Sequence, residues 1–398
     1  MKKVNETVGN KKMVHSDKEF WKIINLLSLT LVFIIGYFMF YLQAMELMAS
    51  DTHGHTGIIG QYLHGDYYMP HPLWHLGTYY TSQLFAVDIY HGAAVFTAFL
   101  VTLYVVIIYK VAQNLDENRD NEAKWFLISF ISLTIGPFFL ISFNPHIYIG
   151  QGSPSVWHNV TLLTVQPLAL LSVFFSIKFF TSNRLNYFIW AILVTIVSIF
   201  AKPNYILVFL PSLVIYMLLK KYLDSRQLKF AIITILLSVT VLAYQFMNQF
   251  SGEGNESVIF DFLGVWSLYT PNIAVSILLA LGLPLLITLL NYQSVKNNEY
   301  IKFSWLLVFF SMILFACFAQ DGRHYSDGNF SWSWNITLSL IYIFTIIEYF
   351  KQYYSMRSIV RYSLLTIIIY QVYVGWYFFI GMLNGINYLA RVDRFPFF

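Results

Sequence analysis

Residues 22 to 42 read KIINLLSLTLVFIIGYFMFYL, an apolar run with one charge at its start. A helix of about 20 residues crosses the roughly 30 Å hydrocarbon core of a bilayer, so this run predicts a membrane-spanning helix. Ten more windows meet or approach the same requirement: 87–109, 125–143, 159–180, 185–201, 204–219, 230–247, 272–292, 303–319, 335–349 and 362–384. The sequence therefore predicts an all-α, polytopic transmembrane helix bundle of about 11 spans.

The composition agrees with that class of protein. Of the 398 residues, 58% are hydrophobic and 11% are charged, whereas a soluble domain carries about 25% charged residues. The apolar runs recur along the whole chain, so we expect a single transmembrane domain over residues 1–398. Cys317 is the one cysteine, which excludes an intrachain disulfide and a cysteine-based metal site. Residues 1–20 show no small-residue cleavage site, so we expect the first helix to be retained.

The lysines and arginines predict the orientation in a cell membrane. Of 24 such residues, 20 fall in residues 1–22 and in alternate loops, and the other set of loops holds Lys202, Arg323, Arg391 and Arg394. Basic loops stay cytoplasmic, so we expect a multi-pass protein with a cytoplasmic N-terminus and an external C-terminus. Nine of the ten histidines then lie on the external side, where we expect any chemistry. The cytoplasmic loops lack a glycine-rich phosphate loop, so we do not expect a nucleotide-consuming site on that side. We expect no nucleic-acid partner either.

The first outer loop, residues 43–86, is the longest and the richest in polar groups. Asp51 follows the first span closely, with His53 and His55 beside it. Burial among aromatic residues would raise the pKa of Asp51 into a range that suits a general base. The alternative is a solvated acid that caps the next helix. We favour the general base.

The same loop contains the segment MPHPLWH at residues 69–75. On a helix that begins at Pro72, His71 and His75 would share one face, a spacing that can bind a metal. An amphipathic helix at the membrane surface would show the same pattern, because aromatic residues gather there. The surface helix is the favoured interpretation.

Further outer loops are predicted at 144–158, 248–271 and 320–334. The first reads NPHIYIGQGSPSVWH and is followed by Asn159. Trp157 could stack on a sugar ring while Gln151, His158 and Asn159 bond its hydroxyls. A tryptophan membrane anchor followed by ordinary helix capping explains the pattern equally well.

Lys202 lies between two short predicted spans, 185–201 and 204–219. They measure roughly 24 to 26 Å at 1.5 Å per residue, less than the core thickness, so Lys202 should lie below the outer surface. A cation at that depth is expensive and marks a functional site by default. Snorkelling to the head groups is the alternative.

The loop 320–334 reads QDGRHYSDGNFSWSW. Arg323 and His324 could bind phosphate oxygens, Arg323 through its planar fork. Asp321, Asp327 and Asn329 could contact sugar hydroxyls or a divalent metal, or form the turns that Asp-Gly pairs favour. No cofactor is required by the sequence.

The many spans and the acid in a long first outer loop resemble the GT-C superfamily of integral membrane glycosyltransferases, which take sugar from polyprenyl-phosphate donors. The resemblance implies a GT-C-like fold, Asp51 as the catalytic base, and Lys202 and Arg323 as cations for the donor phosphate. The chain departs from the family in lacking an Asp-x-Asp or Glu-x-Asp pair beside Asp51 and a soluble C-terminal domain. It is also similar to bacterial membrane families with a GNFxW-type loop, here residues 328–332, a likeness that implies no chemistry.

The expected function is sugar transfer from a polyprenyl-phosphate-linked donor to a cell-surface glycan or glycolipid acceptor, among membrane lipids and on the outer face. A polysaccharide polymerase or ligase acting on lipid-linked glycans is one alternative. A transporter whose Lys202 and Arg323 line an anionic substrate path is another, since short spans also occur in transporters.

Overall fold

The computed structural model describes residues 2–116, 121–250, 257–387, 391–392 and 395, with the backbone alone for 2–19 and 250. Residues 251–256 of the predicted loop 248–271 and Arg394 lie outside the described residues. The helices are α1 (Lys2–Ala44), α2 (Thr52–Gly57), α3 (Ile59–His64), α4 (Leu73–Phe85), α5 (Ile89–Leu115), α6 (Glu122–Thr134), α7 (Val160–Ser182), α8 (Leu185–Ala201), α9 (Asn204–Lys220), α10 (Ser225–Phe250), α11 (Gly264–Tyr269), α12 (Ile273–Leu290), α13 (Tyr292–Val295), α14 (Glu299–Cys317), α15 (Ser331–Gln352) and α16 (Ser358–Leu383). A π-helical turn (Ile147–Gln151), a 3-10 turn (Gly322–Asp327) and the strands β1 (Val258–Phe260) and β2 (Phe318–Gln320) complete the described chain.

The structure is an all-α bundle of the kind that membranes contain. Within the described residues, eight helices are long and apolar enough to cross a membrane, and α8 and α9 are shorter apolar helices. The eight lie in α1, α5, α7, α10, α12, α14, α15 and α16. The class of fold is thereby confirmed, whereas the total of 11 spans and the orientation stay predictions. Helix α1 begins at Lys2 and so includes residues 2–21 of the predicted tail, whose cytoplasmic location stays a prediction.

Two helices form the centre of the bundle. The apolar stretch of α15 is 94% buried and that of α7 is 83% buried, against 17% for α1. Both central helices are rich in serine and threonine, whose hydroxyls can bond to carbonyls of the preceding turn; Thr164 bonds to Val160 in this way, and Thr345 to Ile341. These two hydroxyls are thus satisfied within their own helices. Both helices begin at the same end of the bundle, where the outer loops meet.

The window 125–143 is helical only as far as Thr134, which corrects the predicted third span. Gly136 and Pro137 follow, and proline disfavours helix at the residue before it. The chain continues in non-helical form, with the Gly136 N–H donating to the Gln371 carbonyl at 2.9 Å. A Cβ atom on Gly375 of α16 would lie 1.7 Å from the Thr134 carbonyl oxygen. The end of α6 therefore crosses α16 at a point where only glycine fits.

The predicted short helices of the first outer loop are present as α2, α3 and α4. The loop 248–271 starts later than expected, because α10 extends to Phe250, and it contains β1 and α11. Strand β1 pairs antiparallel with β2, with Ile259 opposite Ala319. This pairing between two distant loops was absent from the prediction, since three-residue strands leave no periodic signal. We call the end of the bundle that carries these loops the loop face.

Candidate functional site

Asp51 lies at the loop face, immediately before α2. Its backbone N–H donates to the His158 carbonyl at 3.2 Å, which joins the first outer loop to the start of α7. The carboxylate makes no capping bond to α2, so the capping alternative is wrong. Its Oδ1 atom is buried and has no hydrogen-bond partner among the described residues, while 33% of the side chain is exposed. The acid is therefore partly exposed, with its Oδ1 atom inside the protein.

Lys202 lies in the turn between α8 and α9, near enough to Asp51 for the two charges to interact. Its Nζ atom donates to Thr161 Oγ1 at 2.7 Å and to Asn159 Oδ1 at 3.3 Å. The ammonium also lies 5.3 Å from the centre of the Trp332 ring, within the range of a cation–π interaction. The side chain is 6% exposed. Lys202 is thus bonded inside the protein, and the snorkelling alternative is wrong.

Asp51 and Lys202 influence each other electrostatically. Burial raises the pKa of Asp51, and the Lys202 charge and the backbone N–H of Val160 oppose that rise. Burial lowers the pKa of Lys202, and Asp51 opposes that fall. For both groups the effect of burial is the larger one. A carboxyl group with a raised pKa beside a cation is a suitable proton acceptor near neutral pH.

Three histidines extend from Asp51 along α2 and α4. His55 Nε2 lies 3.8 Å from Asp51 Oδ2, and His55 Nδ1 lies 3.1 Å from His75 Nε2. The rings of His71 and His75 are 6.4 Å apart, and α4 begins at Leu73, next to Pro72, as predicted. Burial lowers the pKa of His55 to about 3 and that of His75 to about 4. Burial also lowers the pKa of His71 well below its usual value, so all three imidazoles are neutral at pH 7.

His158 lies next to Asp51, whose N–H donates to its carbonyl. Its ring lies 4.5 Å from that of Tyr148 and 5.9 Å from that of Trp332. The side chain is 4% exposed, and Nε2 has no hydrogen-bond partner among the described residues. Burial lowers its pKa to about 3, which leaves a neutral imidazole with a free nitrogen. We call Asp51, His55, His158, Asn159, Thr161, Lys202 and Trp332 the Asp51–Lys202 site.

Asn159 combines two roles. Its Oδ1 atom accepts from the Leu162 N–H at 2.8 Å, as an N-terminal cap of α7, and also from Lys202. The capping alternative is therefore correct for this residue and compatible with a place in the site. One side-chain oxygen fixes both the start of α7 and the position of the cation.

The loop before α7 is tightly bonded to the central helix. Trp334 Nε1 donates to the Gln151 carbonyl at 2.8 Å, and the Ser153 N–H donates to Asn335 Oδ1 at 2.7 Å. Gly152 has φ +98°, and a Cβ atom there would lie 2.3 Å from the Trp334 indole. The Gln151 side chain donates to the Phe138 carbonyl. These hydrogen bonds fix the loop against α15, and the Gln151 side chain contributes one of the bonds that hold it.

Trp157 lines an apolar cleft of about 300 Å³. The indole also packs on Phe379, with 5.1 Å between the rings. The walls come from α1, α5, α6 and α16, and include Val32, Ile35, Met39, Phe130, Trp376 and Phe379. Leu31 and Ile35 both line the cleft and are exposed on the outside of the bundle. The cleft therefore opens sideways, towards lipid, one residue from His158.

The remaining predicted residues lie on exposed segments of the loop face. His53 bonds to the Ala44 carbonyl and pairs with Glu46. Asp321 accepts from the Gly322 N–H, as a turn-forming residue, and the Asn329 side chain donates to Gln320. Arg323 is exposed on the 3-10 turn, where His324 pairs with Asp327 at 2.6 Å.

This last loop still approaches the Asp51–Lys202 site. Asn204, two residues after Lys202, donates to the Asn329 carbonyl at 2.7 Å, and Trp332 contacts the ammonium. The loop thus supplies Trp332 to the site, while Arg323 belongs to its exposed part. Within the described chain, no three His, Cys, Asp or Glu side chains are grouped so that they could hold a metal ion.

Sequence reasoning missed three residues that shape the site: Thr161, Tyr148 and Trp332. The Thr161 hydroxyl is a direct partner of Lys202, yet a threonine in the first turn of a helix is common and carries no distinct signal. Trp332 belongs to the conspicuous SWSW run at residues 331–334, which could have drawn attention to it.

No protein-family model matches the chain, and a search of curated proteins finds no match.

Proposed function

We propose that the chain is a membrane glycosyltransferase, similar to the GT-C superfamily, that moves a sugar from a polyprenyl-phosphate-linked donor to a cell-surface glycan or glycolipid acceptor on the outer face. The observation that supports this proposal is the electrostatic interaction of Asp51 with Lys202 at the loop face. Four segments that are distant in sequence supply the residues around them: the first outer loop, the loop before α7, the turn between α8 and α9, and residues 320–334.

Unpartnered polar atoms in and near the Asp51–Lys202 site support a ligand with several hydrogen-bonding atoms. Asp51 Oδ1, His158 Nε2 and His71 Nδ1 are buried without partners among the described residues. A buried polar atom without a partner costs about 1–3 kcal/mol, and such atoms call for a ligand or water. Sugar hydroxyls and phosphate oxygens offer the matching donors and acceptors.

The chemistry divides between the two charged groups. Asp51 takes the proton of the acceptor hydroxyl, whose oxygen then bonds to the sugar carbon as the bond to phosphate breaks. Lys202 stabilises the negative charge on the leaving phosphate, and such electrostatic stabilisation is commonly the largest catalytic contribution. Arg323 lies on the exposed turn of the adjoining loop, so we assign the phosphate first to Lys202.

The apolar cleft supports a lipid-linked donor. Its α1 lining runs from Ser28 to Met39, about 16 Å of helix at 1.5 Å per residue. It opens towards lipid and reaches Trp157, whose neighbour His158 belongs to the Asp51–Lys202 site. A chain in the cleft would place its phosphate end near Lys202.

The test uses the full chain in proteoliposomes with a panel of polyprenyl-phosphate hexoses, radiolabelled in the sugar, and an envelope lipid extract as acceptor. We expect labelled product from the parent and a loss of 100-fold or more in Asp51→Asn, which keeps the size of the side chain. His64→Gln is the matched control, since His64 is exposed on α3. An Asp51→Asn variant as active as the parent would exclude Asp51 as the base.

A further inference from the structure

The small sheet at the loop face presents apolar side chains outward. Successive side chains of a strand point to opposite faces of the sheet, and along β1 and the residues after it outward and inward positions alternate. Val258, Phe260 and Phe262 are 39%, 72% and 64% exposed, whereas Ile259 and Asp261, between them, are less exposed. A sheet that faces water usually has the opposite pattern, with polar residues outward. The outward side of this sheet is therefore suited to an apolar environment.

The inner side of the sheet is held by the rest of the loop face. Ile259 packs against the buried cluster that contains Trp266 and Phe315. The Asp261 carboxylate accepts a hydrogen bond from the Tyr325 hydroxyl. A rotation of the sheet would break these contacts and expose the cluster to water. The apolar residues thus stay outward because the protein fixes the orientation of the sheet.

Strand β2 adds a residue to the outward side. Phe318 lies opposite Phe260 in the antiparallel register, and the centres of their rings are 6.2 Å apart. Residues that pair directly share one face of a sheet, and Phe318 is 37% exposed. Gln320, opposite Val258, accepts a hydrogen bond from Asn329 within the loop face. We call the outward apolar surface the ribbon face; it consists of Val258, Phe260, Phe262 and Phe318.

The ribbon face continues an apolar stripe of α14. Phe309 and Ile313 are exposed on this helix, and with Cys317 they are spaced four residues apart, which places them on one side. Helix α14 is long and apolar enough to cross a membrane, so we expect this side to face lipid. Phe318 follows Cys317 directly in the chain. The lipid-facing surface of the helix therefore leads into the ribbon face.

We propose that the ribbon face inserts into the bilayer leaflet on the side of the loop face, with phospholipid as its partner. The phenyl rings lie among the upper parts of the acyl chains. The backbone lies at the level of the head groups, because an open sheet edge requires hydrogen-bonding partners that hydrocarbon lacks. Apolar surfaces that lie in the interface enter it by about 5–10 Å. This inference requires a membrane and is independent of sugar transfer.

The inserted ribbon would fix the height of two loops that build the Asp51–Lys202 site. The Phe318 ring lies 6.4 Å from that of Phe330, which precedes α15 and is two residues from Trp332. Behind the sheet, Trp266 Nε1 donates to the Gly150 carbonyl at 2.9 Å, in the loop before α7. Lipid contact at the ribbon face is thus connected through direct packing to both loops.

The test uses nitroxide labels on the full chain in phosphatidylcholine vesicles. Cys317→Ser removes the one cysteine, and a single new cysteine then carries the label in Phe260→Cys or, as a second position, Phe262→Cys. Electron paramagnetic resonance measures how often each nitroxide collides with oxygen, which concentrates in hydrocarbon, and with a polar nickel chelate, which stays in water. Phe309→Cys on α14 is the lipid reference, and Asp66→Cys, exposed on the first outer loop, is the water reference.

We expect the ratio of oxygen to nickel collisions at positions 260 and 262 to exceed that of Asp66→Cys and to approach that of Phe309→Cys. Ile259→Cys, on the inner side, should show few collisions with either reagent. A ratio at 260 and 262 equal to that of Asp66→Cys would mean that the ribbon face lies in water, and would overturn the proposal. Few collisions with both reagents at 260 and 262 would mean that protein, such as a second copy of this chain, covers the ribbon face, and would overturn it too.

Discussion

The Nζ atom of Lys202 lies 2.7 Å from the hydroxyl of Thr161, so a cation between α8 and α9 is bonded to the first turn of α7. The N-terminus of a helix carries a partial positive charge, and a lysine beside it adds to that charge. Asn159 and Thr161 offset the repulsion with oxygen atoms, and Asp51 with a carboxylate. The Lys202 charge therefore favours the ionised form of Asp51, although burial has the larger, opposite effect.

Thr161→Val tests how firmly the cation is fixed. The change keeps the shape of the side chain and removes one of the two hydrogen bonds to the ammonium. Because hydrogen bonds to charged groups contribute about 1.5–3 kcal/mol, we expect a lower melting temperature in detergent. Thr164→Val is the control, since that hydroxyl bonds within α7 to the Val160 carbonyl. Equal melting temperatures for Thr161→Val and Thr164→Val would contradict the prediction.

Val32→Trp tests the apolar cleft. Val32 lines it from α1, and the larger ring should occupy space that a lipid chain needs. We expect weaker binding of a long-chain polyprenyl-phosphate sugar in nanodiscs, with binding of a short-chain analogue unchanged. Leu27→Trp, on the exposed side of α1, should bind both as the parent does. Equal weakening for both chain lengths would place the effect outside the cleft.

Gly375→Ala tests the crossing of α6 and α16. The added methyl group would lie 1.7 Å from the Thr134 carbonyl oxygen, so the backbones must separate. Overpacking of this kind costs about 1–3 kcal/mol, and we expect a corresponding fall in thermal stability. Gly57→Ala has open space around the new methyl group and serves as the control. Should Gly375→Ala melt at the parent temperature, the close crossing would be wrong.

The orientation is testable by thiol labelling. Cys317 is the one cysteine, so Cys317→Ser provides a background without thiols. In intact cells a membrane-impermeant maleimide should label Asp66→Cys on the loop face and leave Tyr354→Cys unlabelled, with the reverse pattern in inverted vesicles. Both positions are exposed. Labelling of Tyr354→Cys in intact cells would reverse the predicted topology.

Much of the helical framework could be predicted from hydropathy alone. Helix α8 has the predicted bounds 185–201, and α9 differs by one residue at its end. These helices are bounded by Arg184, Lys202 and Lys220, so polarity marks their ends. The end of α6 was missed because Gly136 and Pro137 sit within an apolar run. The high hydropathy after Thr134 reflects buried residues and does not indicate a helix.

Some residues of the site could be predicted from the sequence, but their proximity to one another could not. Asp51 and Lys202 were recognisable because charge near a membrane is rare. Their meeting depends on the N-terminus of α7, which contacts the first loop through His158 and the cation through Asn159 and Thr161. Such contacts between distant residues leave no local pattern. The two short spans indicated the depth of Lys202, but no local pattern showed that Arg323 would be exposed.

The short helices α8 and α9 also affect the surrounding bilayer. Each has 17 residues, about 26 Å of helix, and α8 presents Leu185, Ile189 and Leu193 on its exposed side. A hydrophobic surface that is shorter than the hydrocarbon core is accommodated by local thinning of the bilayer. We therefore expect the head-group layer to be lowered next to Lys202, which would let a lipid phosphate approach the ammonium without leaving the membrane. We therefore expect activity to depend on bilayer thickness. Activity should be higher in thinner membranes, where the lipid phosphate lies closer to the depth of Lys202.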